Sequence, residues 1–171
     1  MNCDGIAIKG FLAWEPNRRA TEMEALHFHD IPLIGTFEQG DCTVLFSCLT
    51  GAAARTSIWA YTPLGEAEVT DLEAFDCEST EELETYTHSL FSGREVVFAS
   101  VAEGRINRWT PLQVADDEMV LSAAVRFMNG LIAETEGRIS SSERKRDEAA
   151  RRLKQAEQAR ADATRQVLEP A

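Results

Sequence analysis

Residues 116–169 read DDEMVLSAAVRFMNGLIAETEGRISSSERKRDEAARRLKQAEQARADATRQVLE. No proline falls between Pro111 and Pro170, no aromatic residue follows Phe127, and no glycine follows Gly137. What remains is rich in Ala, Arg, Glu, Gln and Leu, the residues that lose least on entering a helix. One helix over this stretch would be roughly 80 Å long at about 1.5 Å per residue. That is too long to lie against a small domain over its whole length. The chain therefore divides into a folded α+β body, residues 1–112, and a helical, coiled-coil-like segment, residues 113–171.

With Val125 at heptad position a, the later a positions are Ile132, Ile139, Arg146, Leu153, Arg160 and Val167. The d positions are Met128, Thr135, Ser142, Ala149, Ala156 and Ala163. Two-stranded coils favour Ile, Val or Leu at these places, so the seam is sound through Ile139 and thin beyond it. Gly130 and Gly137 each cost about 1 kcal/mol against alanine in a helix interior. Ser140 to Glu143 spells a capping box. The expectation is one long C-terminal helix, or a pair of helices broken near Gly137.

Outward from the tail, charge is unevenly distributed. Residues 1–137 carry 8 basic and 23 acidic side chains, a balance of −15, and residues 138–171 carry 9 and 6, a balance of +3. An acidic body with a mildly basic tail attracts copies of itself or an oppositely charged partner, and the acidic body argues against nucleic acid on that part. At 171 residues and 44% hydrophobic, the body buries a core without metal or disulfide support. Arginine outnumbers lysine 14 to 3, a bias associated with GC-rich bacterial genomes. No apolar run approaches 18 residues and no secretory signal opens the chain, so the expected address is the cytoplasm, with no membrane partner. Cys3, Cys42, Cys48 and Cys77 form no C-x-x-C pair, and four reduced thiols are expected.

In chain order, Cys3–Trp14 alternates enough to suggest a strand, and Arg18–Leu26 is helix-compatible. Leu33–Phe37, Cys42–Leu49 and Thr56–Tyr61 are β-prone runs joined by short turns, with Gly40 where a positive φ is wanted. They predict an antiparallel meander. Glu66–Phe75 reads as a short acidic helix, and Ser79 caps another running to Phe91. Arg94–Val101 and Arg105–Trp109 make a hairpin, and Thr110-Pro111 fits a helix start. The total is about five strands and two short helices before the long C-terminal helix.

Chemistry is sparse. His27, His29 and Asp30, completed by a Glu or by His88, could begin a metal site or a ligand-sensing site, but two histidines beside an acid recur by chance. There is no G-x-S-x-G elbow, and Ser47 lies mid-strand, where a side chain is usually packed. Gly51–Thr56 lacks the ending of a phosphate loop. The carboxylates from Glu66 to Glu78 have no calcium-loop spacing and read as a solvated face. Arg144, Lys145, Arg146, Arg151, Arg152 and Lys154 form a basic segment, residues 144–154, interleaved with Asp147 and Glu148 at favourable helix spacing. Nucleic-acid contact would want more basic excess and a base-reading side chain.

The sequence thus implies no catalytic centre and no cofactor. It points to a non-enzymatic interaction, assembly or regulatory module, joining itself or a larger protein through Val125, Met128, Ile132, Ile139 and Leu153. The alternatives are a small metal- or ligand-binding sensor or enzyme domain using His27, His29 and His88, and nucleic-acid contact through 144–154.

Overall fold

The structure is a computed structural model that describes residues 6–50 and 56–168, with side chains described through Gln155. The chain forms two compact units, Met1–Phe127 and Met128–Ala171.

In the first unit, six strands form one antiparallel sheet in sequence order. They are β1 (Ala20–His29), β2 (Ile31–Gln39), β3 (Cys42–Cys48), β4 (Thr56–Leu64), β5 (Glu95–Ala102) and β6 (Arg105–Gln113). Helices α1 (Glu66–Glu73) and α2 (Thr80–Ser89) lie between β4 and β5, and α3 (Val120–Leu168) follows β6. The meander expected from residues 33–61 is the centre of this sheet. Its β2–β3 turn carries Gly40 at φ +65°.

Side chains alternate across a strand, and here both faces of the central strands are covered. On one face Val44, Phe46, Trp59, Tyr61, Val97 and Ala99 share a buried cluster with Ile6, Ile8 and Ala13 of the N-terminal segment. The Tyr61 hydroxyl donates to the Ala13 carbonyl at 2.8 Å. Asn17, itself buried, fixes the same segment by donating to the Ala7 carbonyl and to Gln39 Oε1. The other face lies under helices. His88 of α2 reaches Ser47 at 3.3 Å, and Phe127 in the second turn of α3 stacks on Phe98 of β5 at 6.0 Å between ring centroids. Val120, Ala123 and Ala124 are buried beside it. The opening of α3 is therefore part of the core.

Local chemistry explains the short helices. Glu68 accepts from the Gly65 N–H at 2.9 Å, closing the first turn of α1. Ser79 accepts from the Glu82 N–H at 3.2 Å, as its capping box predicts, while the Glu82 carboxylate reaches back to the Glu78 N–H. Phe75 and Tyr86 stack at 4.2 Å.

Several expectations are corrected. The sheet has six strands instead of five, because Arg18–Leu26 is not helical: Ala20–His29 is edge strand β1. Its alternation is masked by register irregularities and by positive φ at Glu22 and Asp30. Residues 6–14 form no strand; Leu12 and Glu15 make an isolated bridge there. Thr110-Pro111 continues β6 and starts no helix, since proline's missing N–H is tolerated on an edge strand. Of the two forms expected for the tail, the structure has the single long helix: α3 is unbroken from Val120 to Leu168, through Gly137 and Ser140. Cys48 and Cys77 are free thiols, but Cys42 is disulfide-bonded, against the expectation of four reduced cysteines. Spacing within β3 excluded a Cys42–Cys48 bridge and had no bearing on a partner elsewhere. Cys3, most of the Gly51–Thr56 loop and the last three residues lie outside the described residues.

Gly35 marks a close approach. A Cβ there would overlap the Glu24 carbonyl oxygen and come within 2.8 Å of the Phe46 ring. Gly35→Ala is expected to destabilise the fold by about 1–3 kcal/mol, as overpacking does, seen as a lower urea midpoint at unchanged slope; an unchanged midpoint would show that β1 shifts freely.

Candidate functional site

The side chains of α3 differ in fate along its length. At its start Val120, Ala123, Ala124 and Phe127 are buried against the sheet. At about 100° per residue, Leu121 and Val125 fall about a third of a turn away, and both are exposed. The heptad that contains Val125 continues through Ile132, Ile139 and Leu153, which are 56%, 53% and 64% exposed, and Met128 is half-buried. Large aliphatic side chains so exposed and aligned at a seven-residue period are the costliest feature of the helix surface, since each leaves apolar area in water worth about 25 cal/mol per Å². Leu121 was not among the expected seam residues. It lies one heptad before Met128, and extending the repeat backward would have found it.

The remaining candidates do not assemble into a centre. His29 and Asp30 contact each other at 3.6 Å and are both well exposed. His27 lies in β1 opposite Ile34. His88 sits on α2 bonded to Ser47. Among the described residues no group of three or more His, Cys, Asp or Glu side chains is placed to hold a metal ion. The Ser47–His88 pair has a nucleophile's composition, yet Ser47 is wholly buried and offers no surface from which a substrate could approach. Burial also pushes the Cys48 thiol up to about 11, against a backbone hydrogen bond at Thr50 that pulls it down.

Hollows line the first unit, among them one of about 710 Å³ beside Phe75 and Tyr86. Another, about 1360 Å³, is bordered by Pro63, Glu66, Glu68, Arg94 and Glu95. Its one guanidinium is occupied: Arg94 pairs with Glu68 and donates to the Pro63 carbonyl. The Arg94 bond is the first cause holding the Glu68 carboxyl below its usual range. A further hollow, about 810 Å³, lies beside Trp14 and Trp59, whose indole N–H donates to Ser57. A smaller one, about 350 Å³, runs between His88 and residues 116–121. None gathers convergent, unpaired polar groups. The basic side chains of residues 144–154 are all exposed, and Arg152 is paired with Glu148 at 2.7 Å.

The chain matches no protein-family model, no curated protein and no solved structure. No helix among the described residues is long and apolar enough to cross a membrane.

Desolvation holds the His88 imidazole below its usual value, with Glu84 opposing weakly. The unfolded chain therefore takes the proton first as pH falls through about 6.5. Stability should drop with acid below that point until the folded imidazole also protonates. Unfolding midpoints between pH 7 and pH 5 should fall for the wild type and fall less for His88→Gln; equal slopes would show that His88 is not the group responsible.

Proposed function

We propose that this protein is a non-enzymatic interaction module whose folded head carries a helix that docks another protein. The observation that supports this reading is the exposure of Val125, Ile132, Ile139 and Leu153 on one stripe of an unbroken helix. The head buries the residues at the start of α3 and leaves this stripe in water. A helix laid into a complementary apolar surface is a recurrent mode of recognition, read as anchors at three- and four-residue spacing. Leu121, Val125, Met128 and Ile132 supply that spacing in sequence, and Ile139 follows one heptad on.

The acidic head fits the same role. Glu66, Glu68, Asp71, Glu73, Asp76, Glu78, Glu81, Glu82 and Glu84 fall within 19 residues that contain no Lys or Arg. Such a surface keeps the head soluble and repels nucleic acid and anionic lipid. The cytoplasm is the proposed address, on the free thiols of Cys48 and Cys77; the bonded Cys42 is the observation against it.

Replacing Ile132 and Ile139 together by Asp, in the full chain, should leave the head folded by near-ultraviolet circular dichroism. It should also abolish any complex that the wild type forms, measured as mass in solution by light scattering. A wild type that is monomeric and retains no partner that the double variant loses would sink the proposal.

A further inference from the structure

We propose that the surface docked by α3 is the α3 of a second copy of this chain, in a two-stranded, parallel, in-register pair. This rests on the reading of α3 as a docking helix and adds the partner, the number of strands and their direction. The first support is the kind of residue at each seam position. Val125, Ile132 and Ile139 at a are all β-branched, the choice that favours two strands over three or four. Leu121 and Met128 stand at d in the first two of these heptads, and Thr135 takes d in the third. Gly130 and Gly137 both fall at f, the outermost position, and a Cβ at either would meet nothing within 4 Å. The residues that weaken the helix are thus kept out of the contact.

The second support is charge. The g positions that flank the seam are Leu131, Arg138, Lys145 and Arg152, and the e positions are Asn129, Glu136, Glu143 and Ala150. In a parallel pair each g side chain meets the e side chain five residues on in the other helix. Arg138 then meets Glu143, Leu131 meets Glu136 and Lys145 meets Ala150, with no like-charged contact in this stretch. In an antiparallel pair g faces g and e faces e. Arginine and lysine would meet one another on one side and glutamates on the other, and like charges at flanking positions decide orientation. The opposite net charges of head and tail favour the antiparallel choice, but they act over distances beyond the roughly 8 Å screening length of physiological salt. The flanking pairs act at contact. Arg138 is tied to Glu134 by a contact of 3.6 Å with both groups more than half exposed, a hold weak enough to exchange.

Arg146 sets the lower limit of the pair. It stands at a, one heptad below Ile139, beside Lys145. Two such arginines facing each other end the apolar seam, which resumes only at Leu153. The pair therefore spans Leu121 to Ser142.

Sedimentation equilibrium of the full chain, with wild type, Arg138→Glu, Glu143→Arg and the double exchange, tests this. The wild type should weigh twice the monomer at high concentration. Each single exchange turns two symmetry-related attractions into repulsions and should raise the dissociation constant about five- to thirty-fold. The double exchange should return it to within about threefold of wild type. Tighter association of Arg138→Glu would overturn the parallel direction, and a trimer or tetramer mass would overturn the two-stranded pair. A wild type that stays monomeric overturns self-pairing; if the Ile132 and Ile139 double variant still loses a different partner, the docking reading survives that failure.

Discussion

Strands β3, β4 and β5 are buried on both faces, and the rest of the molecule follows from that. A sheet wet on one side can be finished by a single cover. This one needs two, because Phe46, Trp59 and Tyr61 point one way while Leu45, Ile58 and Phe98 point the other. The N-terminal segment covers the first set, held by Tyr61 and Asn17. Helices α1 and α2 with the first two turns of α3 cover the second. The head is complete only when the chain has travelled from residue 6 to residue 127. The polar groups caught between the layers show how full the arrangement is: Ser47 finds His88, whereas Thr62 is buried with its hydroxyl unpartnered.

Electrostatics then separates the two ends of the sequence. No Lys or Arg occurs between Arg55 and Arg94, so the carboxylates of α1 and α2 face water largely uncompensated. Arg94 is the meeting point, bonded to Glu68 at one end of α1. In the tail both signs alternate along the helix, and the i,i+4 pairs Glu134–Arg138 and Glu148–Arg152 form. Each contributes only about 0.2–0.5 kcal/mol. The tail's helicity therefore rests mainly on the propensity of its Ala, Arg, Glu and Leu residues, with charge pairs as a small addition.

Strong local patterns were legible in the sequence. The β-branched and aromatic runs of residues 33–61, the Ser79 cap and the proline-free tail each gave the correct element, since local preference and tertiary demand agree there. Legibility failed at the edges. In β1 the charges of Glu22 and Glu24 and the register irregularities hide the alternation, and such features are how an edge strand avoids pairing with other chains. At β6 the Thr-Pro pair imitates a helix start, and only the position of the strand at the sheet margin makes proline acceptable. At Gly137 propensity left a long helix and a broken pair both open, and α3 carries two exposed glycines without interruption. For the seam, Val125, Ile132, Ile139 and Leu153 could be read from the repeat. That Val120 and Phe127 turn inward while Leu121 and Val125 turn outward required knowing where the sheet lay.

The stack of Phe127 on Phe98 has a mechanical consequence. A tail joined to a body through a loop can be tugged or shortened without disturbing what it hangs from. Here the same helix that carries the outward stripe is rooted, two turns from its start, against the interior of β5. A cut made ahead of Val120 would therefore strip part of the sheet's cover together with the exposed stripe.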